Sequence, residues 1–148
     1  MYALRPATPA DYDAIAAVID GWWGRPILPA LPRLFLDHFH GTSQVAETAD
    51  GALAGFLIGI LSPSLPDEAY IHFVGVRPDA RKSGLARTMY ERFFDLARAD
   101  GRRVVKAVTV PVNTASIAFH RRMGFEAGDP VPGYNGPGTS LVTFTRSL

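Results

Sequence analysis

The chain of 148 residues contains no cysteine. This absence excludes disulfide bonds, a zinc site built on thiolates and a covalent acyl-enzyme formed on a cysteine. The sequence also lacks the Gly-x-Ser-x-Gly segment that presents a nucleophilic serine and the His-Glu-x-x-His segment of zinc peptidases. If this chain transfers an acyl group, we therefore expect the transfer to run directly from donor to acceptor.

An excess of charge and a long apolar run are also missing. Lys and Arg number 15 against 14 Asp and Glu, and the net charge of +1 predicts no strong attraction to nucleic acid or to an anionic membrane. The longest apolar stretch is interrupted by Gly59, Ser62 and Pro63, short of membrane-spanning length. The N-terminal residues show no signal-peptide layout. We expect a cytoplasmic protein with one domain over residues 1–148.

A metal site is not expected either. The segment Asp37-His38-Phe39-His40 is the strongest candidate, because it holds two imidazoles and a carboxylate. Two histidines that are two residues apart face different sides of a helix, which is the structure predicted there. The sequence therefore predicts no metal ligands.

Hydrophobic periodicity and turn residues predict a mixed α+β order without repeats. The predicted strands are residues 2–5, 44–48, 53–60, 70–76, 104–110 and 140–146, with one short strand from Phe125. The predicted helices follow Thr8, Arg25-Pro26, Gly84 and Asn113. Residues 127–138 hold three Pro and four Gly and are predicted to form a loop.

The segment from Tyr70 to Arg87 combines a strand, a basic turn and the start of a helix. The apolar run ends before Pro78, and apolar residues at three- and four-residue steps begin after Gly84. The first N–H groups of such a helix lack intrahelical acceptors, and the helix dipole adds positive charge there. Gly84 permits close approach to the backbone. This pattern indicates a phosphate or diphosphate site, although an ordinary strand-to-helix turn is the alternative.

This turn resembles the acetyl-CoA pyrophosphate loop of the GCN5-related N-acetyltransferase (GNAT) family. The family pattern Arg/Gln-x-x-Gly-x-Gly/Ala is matched by Arg81, Gly84 and Ala86. The preceding Val-Gly-Val-Arg-Pro and the later Asn113…Phe119-His120-Arg-Arg-Met-Gly-Phe also match at the family's spacing. The resemblance implies an α+β fold with a mixed sheet of about seven strands, a splayed central parallel pair and about four flanking helices. It also implies acetyl-CoA as co-substrate and no metal.

The resemblance carries over a set of cofactor contacts. Main-chain groups of Phe73, Val74 and Val76 would pair with the pantetheine arm, with Gly75 at the bend, and an N–H near Val74 would hold the oxyanion. The expected diphosphate contacts are Arg81, Lys82, Ser83, Gly84, Leu85, Ala86 and Arg87. The expected contacts from the last helix are Asn113, Ser116, Phe119 and His120.

Proton transfer needs a base for the amine and an acid for the departing thiolate. We expect His72 to be the base, and a histidine with only a structural role is the alternative. His72 shares a strand face with Tyr70, where some relatives carry a histidine pair that relays protons. Glu68 is a weaker candidate. His120 occupies the position of a tyrosine that many relatives use as the acid, and a histidine that only packs or caps is the alternative. Tyr134 is a further candidate for the acid or for a substrate contact.

The acceptor pocket of this family lies by the first two helices and the last strand loop. That position implies substrate contacts from Trp22, Trp23, Phe35, Asp37 and Asn135. Aromatic rings together with a few acids suit a cationic amine, carried by a small molecule or a peptide. Many relatives dimerise through terminal elements, so a homodimer is expected.

Three functions follow in order of preference. The first is acetyl-CoA-dependent N-acetylation of a primary amine. The second is a catalytically inactive acyl-CoA-binding or sensing module, which the histidine at position 120 motivates. The third is a protein that binds ATP or another nucleotide through the same turn.

Overall fold

The computed structural model describes residues 2–148. Its α-helices are α1 (Asp11–Trp23), α2 (Leu34–Phe39), α3 (Leu85–Ala99) and α4 (Thr114–Arg122). Its strands are β1 (Ala3–Pro6), β2 (Gln44–Glu47), β3 (Leu53–Leu61), β4 (Glu68–Val76), β5 (Val104–Thr109), β6 (Glu126–Ala127), β7 (Val131–Pro132) and β8 (Ser140–Ser147). Short 3₁₀ helices occupy Leu28–Ala30, His40–Thr42 and Pro78–Ala80.

The strands form a mixed sheet in the order β1-β2-β3-β4-β5-β8-β6, with β7 paired to β8. Strand β4 pairs with β5 in parallel, and the pairs β1–β2, β2–β3, β5–β8, β6–β8 and β7–β8 are antiparallel. The predicted α+β class, with a mixed sheet and four helices, is confirmed. The sheet has eight strands instead of about seven, because β7 lies inside the predicted loop 127–138.

Contacts group the chain into two compact units. The first holds the described residues up to Ile60 together with Ile71–Leu96, and the second holds Leu61–Tyr70 together with Ala97–Leu148. That the chain forms one domain stays a prediction. Among residues 2–148, no helix is both long enough and apolar enough to cross a membrane.

The core of the first unit is built by α1 and α3 against β2 and β3. Ile15 and Ile19 lie one turn apart on α1, Met89 and Phe93 lie one turn apart on α3, and all four are fully buried. Within β3, residues 54–59 are buried without alternation, as expected when both faces of a strand are covered. By contrast, β4 alternates, with residues 69, 71, 73 and 75 buried and residues 70, 72, 74 and 76 partly exposed.

The second unit pairs the beginning of β4 with β5, and β5 with β8. The parallel register runs from Glu68 opposite Val104 to Tyr70 opposite Lys106, although β4 continues to Val76. Helix α4 begins as predicted, since the Asn113 side chain accepts a hydrogen bond from the Ser116 N–H at 3.1 Å.

Candidate active site

The turn between β4 and α3 has an unusual backbone. Lys82 has a φ of +64° and Gly84 a φ of +85°, so two left-handed residues flank Ser83. A left-handed lysine is uncommon, because its Cβ crowds the following carbonyl. The Ser83 hydroxyl donates to the Ala80 carbonyl at 2.5 Å and accepts from the Leu85 N–H at 3.3 Å, which fixes the turn. Successive N–H groups in such a turn face a common concavity that suits an anion.

The main-chain N–H groups of this turn are available to a ligand. Within residues 2–148, the N–H groups of Lys82, Ser83 and Gly84 donate to no protein acceptor. A Cβ placed on Gly84 would meet no atom within 4 Å, so the backbone there is open to close approach. The first turn of α3, a helix of 15 residues, follows directly and adds its own N–H groups and dipole. These groups fit a phosphate or diphosphate.

The basic side chains of the turn differ in their partners. Arg81 donates from Nη2 to the Trp22 carbonyl at 2.6 Å and from Nε to the Val76 carbonyl at 3.3 Å. Arg87 forms an exposed ion pair with Glu91 at 3.6 Å. Lys82 forms no ion pair within the described chain, so its ammonium group can meet an anion without first giving up a partner.

His72 lies on the partly exposed face of β4 and is held in place by two contacts. Its Nε2 lies 2.8 Å from the Ala30 carbonyl, and its ring stacks on Phe35 with centroids 4.0 Å apart. Burial lowers the pKa of His72, so the neutral imidazole predominates at neutral pH. Because a carbonyl can only accept, Nε2 carries the proton of the neutral ring and Nδ1 carries the lone pair.

The predicted aromatic contacts of the acceptor side belong to one cluster with the core. Trp23 packs on Phe73 with ring centroids 4.6 Å apart, and Trp22 stacks on Phe56 at 6.2 Å. Phe56 and Phe73 stack on each other at 5.9 Å. Both tryptophans are partly exposed, so each presents one part to the core and another to solvent.

Gly75 is explained by this cluster. A Cβ at position 75 would lie 2.4 Å from a ring carbon of Phe56, which is fully buried. The glycine therefore lets the Phe56 ring lie directly against the β4 backbone. This packing requirement stands beside the predicted role of Gly75 at the cofactor, which stays a prediction.

His120 is buried in an aromatic environment in the second unit. Its ring stacks on Phe144 at 4.1 Å and meets Phe125 edge-on at 5.1 Å, and only 6% of the residue is exposed. Its Nδ1 lies 2.8 Å from the Ser116 carbonyl, so Nδ1 carries the proton of the neutral ring. Burial lowers the pKa of His120, which disfavours the imidazolium that a proton donor at Nε2 would need.

The two tyrosines suggested by the sequence both belong to the second unit. Burial and the neighbouring Tyr134 raise the pKa of Tyr70, so its phenol stays protonated at neutral pH. Tyr134 is 53% exposed in the loop that follows β7. Asn135 donates its N–H to the Thr139 hydroxyl at 3.0 Å, within the same loop. Asp37 is exposed on α2.

One organising residue was missed by the sequence reasoning. Asp20 accepts the N–H groups of Ile27 and Leu28 at 2.8 and 2.9 Å on one carboxylate oxygen. It thereby folds the segment between α1 and α2 that reaches His72 through Ala30. An acid shortly before Gly24 and Pro26 was the available signal, because such turns leave N–H groups to be satisfied.

Within residues 2–148, no three His, Asp or Glu side chains lie together as metal ligands would.

The fold is α+β, and the open N–H groups of Lys82, Ser83 and Gly84 form a corner between β4 and α3 that can accept an anion. A sequence profile of the Acetyltransferase (GNAT) family matches residues 12–125. The chain belongs to this family, and the prediction made from its motifs is confirmed.

Individual relatives agree with the family. L-2,4-diaminobutyric acid acetyltransferase of Nocardia farcinica is 35% identical over 86 residues, which cover 58% of this chain and 44% of that protein. Ard1 from Thermoplasma volcanium shares the fold at a TM-score of 0.84 and 21% identity, covering 99% of this chain and 97% of its own. A phosphinothricin acetyltransferase from Sinorhizobium meliloti, crystallised with AcCoA, gives 0.77 at 21% identity, with 99% and 88% covered. The match to the Nocardia protein spans less than half of that relative's length.

Proposed function

We propose that the chain is an N-acetyltransferase that moves the acetyl group of acetyl-CoA directly to a primary amine. The observation that carries this proposal is the corner at Lys82–Gly84, whose N–H groups have no acceptor within residues 2–148. Membership of the acetyltransferase family supports the diphosphate of acetyl-CoA as the anion bound there. Acetyl-CoA supplies the activated acetyl thioester. The chain binds it, removes a proton from the amine and donates one to the departing thiolate.

We assign the diphosphate to the N–H groups of the corner and to Lys82. The N–H groups are already directed by the left-handed residues at 82 and 84, so binding requires little backbone rearrangement. Main-chain groups of Phe73, Val74 and Val76 are assigned to the thioester arm. Support comes from β4 itself, whose parallel register with β5 runs from Glu68 to Tyr70 while the strand continues to Val76.

We assign the base to His72, acting at Nδ1. Its neutral state at neutral pH and its Nε2 contact with Ala30 support this role, since together they leave the lone pair on Nδ1. The acid is assigned to a phenol, Tyr70 or Tyr134, in preference to His120. Burial raises the pKa of Tyr70, so its phenol holds its proton, whereas the proton of neutral His120 lies on Nδ1 against a carbonyl.

The acceptor is proposed to be the amine of a small molecule of the amino-acid type. The name of the Nocardia relative, which states an acetyltransferase for a diamino acid, supports this class. The aromatic surface of Trp22, Trp23 and Phe35 suits the aliphatic part and the cationic amine of such a molecule. Peptide amines are compared in the same panel, and a homodimer of the chain stays a prediction.

A two-part experiment tests the proposal. Thermal shift compares acetyl-CoA with ATP, and stronger stabilisation by ATP would favour the nucleotide-binding alternative. Release of CoA thiol is then followed over a panel of free amino acids, including 2,4-diaminobutyrate, and of peptides with free N-termini. We expect acetyl-CoA-dependent turnover that falls at least tenfold in His72→Gln and stays near wild type in His38→Gln, an exposed control. Tight acetyl-CoA binding without turnover on any amine would support the inactive binding module instead.

A further inference from the structure

The connection between α1 and α2 is held by side chains from distant parts of the chain. We define the acceptor-side segment as residues 22–30, from the last turn of α1 to the end of the first 3₁₀ helix. Arg81 donates to the carbonyl at its start, Trp22, at 2.6 Å, and Nε2 of His72 meets the carbonyl at its end, Ala30, at 2.8 Å. These partners are 59 and 42 residues away in sequence.

The Trp22 carbonyl has a specific need for such a donor. The residue four positions later is Pro26, which has no N–H, so the helix cannot supply the usual partner. Gly24 ends the helix in a left-handed conformation and directs its own N–H to Asp20. A cationic donor at this end also meets the negative end of the helix dipole. Arg81 therefore acts as the C-terminal cap of α1.

We infer that Arg81 is a positioning residue for the acceptor-side segment and not a ligand of the diphosphate. Two of its donor atoms, Nη2 and Nε, are committed to the carbonyls of Trp22 and Val76. The diphosphate is left to the N–H groups of the corner and to Lys82, which follows Arg81 directly in the chain. This arrangement ties the cofactor corner to the end of α1, where Trp22 and Trp23 pack on Phe56 and Phe73.

The chain has two tryptophans, and both lie in the acceptor-side segment. Intrinsic tryptophan emission therefore reports on this segment alone, in the protein without ligand. If Arg81 caps α1, the tryptophan emission of Arg81→Ala should move to longer wavelength, because the end of α1 loosens and the indoles become more hydrated. Arg81→Lys, which keeps the charge but can reach only one carbonyl at a time, should move it less. Arg77→Ala is the control, because Arg77 pairs with Asp79 and does not touch the segment.

The second readout rests on the proposed function. Calorimetry should give a Kd for CoA within threefold of wild type in Arg81→Ala, while the KM for the amine found in the panel rises at least fivefold. The same loss should appear with S-acetylpantetheine, a donor that has no diphosphate. If Arg81 instead bound the diphosphate, Arg81→Ala should show no defect with this shorter donor.

The outcomes separate cleanly. Shifted emission, preserved CoA affinity and an equal defect with both donors support the assignment. Unchanged emission in both Arg81 variants, or a tenfold weaker Kd for CoA in Arg81→Lys with a defect confined to acetyl-CoA, overturns it. If the wild-type protein binds no CoA, the proposed function fails, yet the emission of the ligand-free variants still decides whether Arg81 caps α1. Circular dichroism of each variant confirms that it is folded before comparison.

Discussion

Replacing Gly59 with alanine should destabilise the protein, although alanine is normally the better residue in a strand. A Cβ at position 59 would lie 2.2 and 2.6 Å from two ring carbons of Phe93 and 2.9 Å from the Thr42 carbonyl oxygen. Phe93 is fully buried, so its ring has little room to retreat, and the carbonyl is part of the backbone. The variant must therefore move α3 away from β3 or distort both.

The magnitude follows from two opposing effects. Overpacking of this kind costs about 3 kcal/mol, at the upper end of the usual range because a backbone atom is involved. The lower conformational entropy of alanine in the unfolded chain offsets about 0.5–1 kcal/mol of this cost. The net loss of about 2 kcal/mol should lower the Tm by about 4–8 °C for a chain of this size.

The matched control is the same chemical change at Gly21. This residue lies in α1, is exposed, and has no atom within 4 Å of an added Cβ. Gly21→Ala should therefore stabilise the protein by about 0.5–1 kcal/mol. Differential scanning calorimetry of the two variants should give opposite signs relative to wild type. If Gly59→Ala melts at or above the wild-type temperature, the packing of α3 on β3 described above is wrong.

Three further predictions use other features of the chain. Burial lowers the pKa of His72 and His120, so the unfolded chain takes up protons before the folded chain as the pH falls through the ordinary histidine range. Urea unfolding should therefore show a lower free energy of unfolding at pH 5 than at pH 7.5. His120→Phe should reduce that difference. Asn113→Ala should cost about 1 kcal/mol and Asn113→Asp much less, measured by the same unfolding, because the side chain caps α4. Gly84→Ala should cost about 1 kcal/mol through its positive φ and, in calorimetry, weaken CoA binding beyond tenfold, whereas unchanged affinity would count against a ligand at that backbone.

Local sequence signals were sufficient for the elements that carry the corner. The apolar alternation of β4, the proline that ends it and the helical spacing after Gly84 all depend on residues close together in the chain. The same holds for Asn113, whose capping contact is three residues away. Such features depend on neighbours in sequence, and they were predicted correctly to within one or two residues at most boundaries.

Contacts between distant residues were not predictable in the same way. The two residues of β7 lie in a segment rich in Gly and Pro, and only their pairing with β8 makes them a strand. The acceptors of Arg81 and His72 are main-chain carbonyl oxygens. Every residue carries such an oxygen, so no side-chain pattern predicts which one is used. The stacking of His120 on Phe144 likewise depends on the placement of β8 beside α4, which the spacing of the final motif does not contain.

The central claim is that main-chain N–H groups at the corner after β4 hold the diphosphate of CoA. The most direct test follows the amide resonances of Lys82, Ser83 and Gly84 by ¹⁵N–¹H spectroscopy while CoA is added, and repeats the titration with pantetheine, which has no diphosphate. The account predicts large shifts of these three resonances with CoA and small ones with pantetheine. If they stay in place while CoA saturates the protein, the diphosphate binds elsewhere and the account is contradicted.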